Sequence, residues 1–290
     1  MNKVYGIIQQ KIVDQLENGT VPWQKPWLGG AGMMPKNLIS NKPYRGINIL
    51  LLGSAGYTNP YWVSKKQCLE LKGRIKREEF PKSSIAVFWK INKFAKENDD
   101  GDDETWTSRI LRFYQVWNVD QCEGITHKRV MELREGIETR EFNPIEECEE
   151  IVAKMPNPPS ISNGVQQAYY RPSNDSVNMP AKNSFVGDAE YYSTLFHELS
   201  HSTGHDSRLG RHKRCPHHIS RVEYSKEELV AEMGAAFLCG IAGIEERTID
   251  NSAAYIKGWL GALKNDETMV VMAAAAAQKT ADYIQGITWN

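Results

Sequence analysis

Cysteine is scarce in this chain and falls in no pairing pattern. The five in 290 residues (Cys68, Cys122, Cys148, Cys215, Cys239) are odd in number and never spaced as C-x-x-C. That argues against a disulfide framework and against a cysteine zinc ribbon. No apolar run reaches the roughly 18 residues that a membrane-spanning helix needs. The opening MNKVYGIIQQKIVDQLENGT is amphipathic and lacks the apolar run and small-residue cleavage site of a secretory signal. Internal repeats are absent, as is any carboxylate cluster fit for a pair of metal ions. These absences leave the expectation of a soluble, reduced, cytoplasmic protein with no membrane partner.

Net charge is also nearly absent, at −1, but the average conceals a division. Residues 1–96 hold sixteen Lys/Arg against five Asp/Glu, an excess of eleven positive charges, and the remainder carries the compensating acid. Two domains with different partners are expected, the first of them binding a polyanion. The charge-dense stretch ending in MPNPPS marks the boundary, giving a first domain over 1–130, a linker over 131–158 and a second domain over 159–290.

Helical spacing of Val4, Ile7, Ile8, Ile12, Val13 and Leu16 predicts a helix over 3–17, with a short one over 64–72. Ile85–Lys93 and Trp106–Asn118 are rich in β-branched and aromatic residues and flank the turn ENDDGDDE, which predicts a hairpin with an acidic tip. In the second half, Ala168–Arg171 and Ser176–Met179 read as short strands around a turn at Asp175. Helices follow at about 189–202, 225–241, 252–263 and 266–285. Alanines 273–277 read as a close-packed helix face. The fold class is α+β, an α+β nucleic-acid-binding domain followed by a domain with a small sheet and several helices.

The sharpest motif is H-E-L-S-H at 197–201. Residues four apart share one helix face, so His197 and His201 can reach a single tetrahedral metal, with Glu198 beside them as general base. The expected cofactor is one zinc ion. Zinc acidifies its water, and a neighbouring carboxylate can take the proton and later deliver it to a leaving group. The third ligand is expected from the Glu-rich start of the next helix. His205 lies beyond Gly204, which ends the helix, and position 207, where an extended motif would place a histidine, is Ser207. Glu228 is the first candidate, with Glu232 as the alternative ligand or as a carboxylate orienting a ligating histidine. Ser225 competes for Glu228, because Ser225-x-x-Glu228 is also a capping box. Glu227, about 100° round the helix, reads as solvated. His217 and His218 read as surface histidines or substrate-facing donors, and Asp175 as a turn former or part of a substrate-binding strand.

Single-stranded nucleic acid is held by cations along its phosphates and aromatic faces under its bases. Residues 20–96 interleave the two, with Trp23, Lys25, Trp27, Lys42, Tyr44, Arg45, Lys65, Lys66, Arg74, Lys76, Arg77 and Trp89 as candidate contacts. Each tryptophan has a competing place in the core. Composition separates neither single strand from duplex nor DNA from RNA.

The run Trp23-Gln-Lys-Pro-Trp27, then Asn37 and Lys42-Pro-Tyr-Arg-Gly-Ile-Asn48, resembles the N-terminal domain of the ArdC antirestriction family. Val87-Phe-Trp89 and Val116-Trp-Asn-Val-Asp-Gln121 agree with it. In the second half, Ala168–Tyr170, Asp175, Tyr191, Tyr192, His197–His205, Arg208, Arg211 and Glu227–Phe237 are similar to the zincin-like domain of the same family. Ser202 departs from it, standing where Trp is frequent. The resemblance implies a single-stranded DNA-binding domain, with Asn48 among its residues, fused to a metallopeptidase-like domain with Glu228 as third ligand. It implies protection of incoming DNA from restriction. Two functions follow: a peptidase acting on a DNA-associated protein, or a binding protein that shields the strand while the zinc site is structural or holds a partner.

Overall fold

The protein, seen in a computed structural model, is described over residues 3–18, 21–23, 34–57, 59–97, 103–134, 144–211, 221–244 and 253–288. Its class is the expected α+β. Helix α1 (Lys3–Glu17) buries Val4, Ile8, Ile12, Val13 and Leu16 along one face. A helix this short is marginal alone in water. Burial worth about 1.5–3 kcal/mol for each large side chain holds it in place.

Strand β1 (Lys36–Asn37) leads to α2 (Ile47–Gly53), β2 (Tyr61–Val63), α3 (Lys65–Glu70) and β3 (Arg74–Ile75). Ser64 caps α3 through a capping box with Gln67. The expected hairpin is formed by β4 (Ser84–Glu97) and β5 (Asp103–Asn118), in register from Ser84↔Val116 to Glu97↔Asp103. The sheet order is β1-β2-β5-β4. Short β6 (Cys122–Glu123) pairs with β3.

Helices α4 (Lys128–Arg134) and α5 (Pro144–Ala153) come next. The stretch expected as linker therefore contains a packed helix, with Cys148, Ile151 and Met155 inside the main core. Strands β7 (Ser160–Asn163), β8 (Tyr169–Arg171) and β9 (Ser176–Met179) form a sheet of order β7-β9-β8, which leaves β8 at an edge. Helices α6 (Asp188–Ser202), α7 (Arg221–Ala242), α8 (Ala253–Asn265) and α9 (Met269–Ile284) complete the fold. On α9, Ala273, Ala274 and Ala277 are buried, as a close-packed face requires.

One apolar core runs through α1, α2, the base of the hairpin, α5, α6, α7 and α9. The two ends of the chain meet in it. Trp23 packs edge-on against Trp259, Lys264 pairs with Glu17, and Arg45 pairs with Asp282. Gly46 opens α2 at φ 56° and donates its N–H to Gln278 Oε1 at 2.8 Å. Among the described residues, no helix is long and apolar enough to cross a membrane.

Candidate metal centre

Leu195, Phe196 and Leu199 bury one side of α6, which turns the 197–201 pair towards α7. The two helices approach closely because Gly234 of α7 lies opposite Ser200. A Cβ at Gly234 would stand 2.8 Å from Ser200 Oγ. At that spacing one carboxylate from α7 reaches both imidazoles. Glu228 oxygens lie 3.8 Å from His197 Nε2 and 3.6 Å from His201 Nε2, and the two Nε2 atoms are 3.1 Å apart. Their three ligand atoms fall within 4.8 Å of one another.

The outer edges of the imidazoles face carboxylates as well. His197 Nδ1 is 3.8 Å from Glu232 Oε1, and His201 Nδ1 is 3.7 Å from Glu227 Oε1. A carboxylate at Nδ1 favours the tautomer whose proton sits there and aims the Nε2 lone pair at the centre. The second oxygen of Glu232 is buried without a hydrogen-bond partner. Arg211 fixes Glu227 through two bonds of 2.7 and 3.2 Å, and also donates to Ser200 O at 2.9 Å. The arrangement fits a divalent cation: two imidazole nitrogens and a carboxylate converge, and four carboxylates (Glu198, Glu227, Glu228, Glu232) surround them with Arg211 offsetting one.

Burial, followed by the neighbouring His201, drives the His197 pKa well below the usual imidazole value. Burial alone would lower His201 too, but Glu227 and then Glu228 outweigh it and the net shift is upward. Burial raises Glu198, moderated by His201 and by the Tyr170 backbone. Burial and repulsion from Glu228 raise Glu232. Glu198 is 5% exposed and next to β8, which packs on α6.

Several expectations change here. Ser225 lies inside α7, which begins at or before Arg221, so the capping-box reading of Glu228 falls. Glu227, expected in solvent, is tied to Arg211 and faces His201. Sequence spacing missed this role because its signal, a basic residue sixteen positions away, appears only when the helices pack. His205 lies past the end of α6 with Nδ1 2.8 Å from Ser207 Oγ, apart from the cluster. His217 and His218 fall outside the described residues. Asp175 adopts φ 49° in the turn between β8 and β9, a conformation Asp tolerates. It accepts two bonds of 2.8 and 2.7 Å from Arg208, whose side chain is fully buried, and one of 2.9 Å from the Tyr170 hydroxyl. This clamp ties the edge strand to the end of α6, since Arg208 also donates to Ser202 O at 2.9 Å. Ser202 is buried and bonds Leu199 O.

The candidate nucleic-acid contacts separate into two groups. Trp23 is fully buried, so its ring has no face to offer a base. Tyr44 is buried with Trp62 and Ala86. Asn48 accepts from Val87 N at 2.7 Å and donates to Val87 O at 2.9 Å, pinning α2 to β4. Arg45 is paired with Asp282, Arg74 with Glu123, and Lys76 donates to Asp120 O. Lys42, Lys66 and Arg77 stand open to solvent, Lys65 lies 5.1 Å over the Phe80 ring, and Trp89 is 41% exposed. Lys25 and Trp27 fall outside the described residues.

A helix bearing the histidine pair, an edge strand laid over it and a glutamate from the following helix define a zincin-like metallopeptidase fold. A family model of that description (MPTase-PolyVal) matches residues 146–276. A second, for the N-terminal domain of anti-restriction factor ArdC, matches residues 2–117. The chain belongs to the ArdC family. Crystal structures of the antirestriction ArdC protein from the R388 plasmid, one metal-free and one Mn(II)-bound, are similar at TM-score 0.74 and 32% identity. Each comparison covers 97% of this chain and 96% of theirs. The chain is 31% identical over 291 residues to the uncharacterized protein y4eC of Sinorhizobium fredii, covering 91% of it. Two proteins named DNA primase TraC from Escherichia coli are 32% and 31% identical over 96% of this chain. The chain spans only 26% and 19% of their lengths.

Proposed function

We propose that this chain is a zinc-dependent peptidase of the zincin type that acts on protein associated with single-stranded DNA and serves antirestriction. The observation that carries the reading is the convergence of His197, His201 and Glu228 on one point, with Glu198 on the same helix. Two imidazoles and one carboxylate are the donor set of a catalytic zinc site, which keeps a fourth position open. A divalent ion held there supplies Lewis acidity at that position. Glu198 takes a proton from the attacking water and returns it to the leaving amine. Glu232 and Glu227 hold the imidazoles in orientation. Edge strand β8 offers backbone to an extended peptide, which would lie beside Glu198 by strand addition. The basic first unit, residues 1–130, brings the second, residues 159–290, to the strand. The names of the relatives, an antirestriction protein of a plasmid and two primases, agree with a task on transferred DNA.

Glu198→Gln tests this reading, because it leaves all three ligands in place. The expected variant holds one zinc per chain and has lost cleavage of a protein bound to single-stranded DNA. Cleavage at the parent rate would remove Glu198 from the base role. Full protection of DNA from restriction by the variant would instead assign the function to binding alone.

A further inference from the structure

The hairpin β4–β5 runs well past the core that anchors its base, and its outer part exposes aromatic rings. Alternation places Phe88, Lys90 and Phe94 of β4 on one face, together with Arg112 and Tyr114 of β5, since Phe88 pairs with Arg112 and Ala86 with Tyr114. Phe88 is 46% exposed, Phe94 42% and Tyr114 38%. The Phe88 and Tyr114 rings lie 5.9 Å apart at 58°. Lys90 and Arg112 are exposed between them and form no ion pair among the described residues. Residues 84–96 and 105–118 contain no Asp or Glu, whereas 97–104 at the turn contain six.

We infer that this face of the hairpin is the path of the bound single strand, an inference that rests on the proposed binding of single-stranded DNA. Bases stack on Phe88, Tyr114 and Phe94, and phosphates lie on Lys90 and Arg112. Rings alternating with cations are what an unpaired strand can use, because a duplex hides its base faces inside its own stack. A protein partner of apolar character would leave the two cations buried and unpaired. The stretch from Phe88 to Phe94 extends about 20 Å at strand rise. The acidic sequence that joins Glu97 to Asp103 repels phosphate and so ends the path on that side. The base of the hairpin is held from both faces: Ile85, Val87 and Leu111 enter the main core beneath, and Tyr44 and Trp62 pack on Ala86 and Val116 where the ring-bearing face begins, so the rings are presented without ordering a loop.

The test is fluorescence anisotropy of fluorescein-labelled oligo-dT with the full chain across a salt series. Phe88→Ala/Tyr114→Ala is expected to weaken binding on the order of tenfold for each ring. Arg112→Ala should flatten the dependence of log K on log salt by about 0.7. Lys65→Ala/Lys66→Ala, on α3 at the other end of the hairpin, should lose affinity without the ring-dependent loss. All of these side chains are exposed, and circular dichroism confirms the fold. Parent-like affinity of the double aromatic variant, with the parent binding oligo-dT, would overturn the path while leaving single-strand binding intact. Failure of the parent to bind oligo-dT at low salt would overturn the binding reading and the path with it. A preference for duplex over oligo-dT would overturn stacking.

Discussion

Gly234→Ala should damage the protein even though alanine is the better helix former. In a helix interior the exchange gains about 1 kcal/mol from propensity alone. Here the new Cβ would lie 2.8 Å from Ser200 Oγ, 3.3 Å from Ser200 Cβ and 3.3 Å from Thr280 Cγ2. Rotating the Ser200 hydroxyl away would break its 2.7 Å bond to Phe196 O, a loss of about 1 kcal/mol. The two carbon contacts would remain, and relieving them would part α7 from α6 at Ser200 and from α9 at Thr280 by a few tenths of an ångström. Overpacking of that kind costs about 1–3 kcal/mol. The net is a destabilisation of about 1–3 kcal/mol, or a fall in Tm on the order of 5 °C. Because Ser200 adjoins His201, the same displacement moves the imidazole relative to Glu228, and zinc affinity should fall with stability. Thermal unfolding and competition with a chromophoric chelator measure the two effects. Adding Ser200→Ala removes the 2.8 Å contact and should recover part of the loss, seen as coupling in a double-mutant cycle. A Gly234→Ala chain that melts at or above the parent temperature with undiminished zinc affinity would refute the argument that this contact sets the helix spacing.

Other outcomes can be checked alongside it. Glu228→Ala should abolish zinc binding in elemental analysis. Glu232→Gln and Glu227→Gln should retain the site but bind about 10–100-fold more weakly, as loss of a carboxylate behind a ligating imidazole does. Equal loss in all three would mean that the outer carboxylates ligate. Added zinc should stabilise the parent by about 2.7 kcal/mol at a hundred times Kd and leave His201→Ala unmoved in a thermal shift. Asp175→Asn should cost about 3 kcal/mol at neutral pH, at the low end for a broken buried pair because Asp175 is part-exposed. Arg208 holds the Asp175 carboxyl below its ordinary value. Its contribution is therefore complete above the unfolded pKa of about 4 and fades as pH falls through the lower folded value. Denaturant midpoints of parent and variant should converge in acid, and a gap that persisted there would show that the ion pair is not its source.

Much of this protein can be read from local pattern alone. The spacing of Val4, Ile8, Ile12 and Leu16 located α1, since a single buried face imposes a 3.6-residue period wherever the helix docks. The β-branched and aromatic runs either side of ENDDGDDE located the hairpin, because alternation and turn chemistry act within a few residues. His197 and His201 share a face by helix geometry, with no partner needed. What sequence could not set was the rotation of α7 against α6. Capping and ligation were both open to Glu228 until the start of α7 upstream of Ser225 removed the first. Glu227, one residue away, passed from solvent to a part-buried pair with Arg211. Trp23 and Tyr44, aromatic among lysines, carried the composition of a binding surface, yet they fill the core. Rings that do stand in solvent include Phe88, Phe94 and Tyr114, on one face of the outer hairpin. Helix and strand periods are properties of the backbone and survive in one dimension. Which face meets which neighbour depends on packing between distant segments, on Gly234 against Ser200 or Trp23 against Trp259, and only the tertiary structure decides that.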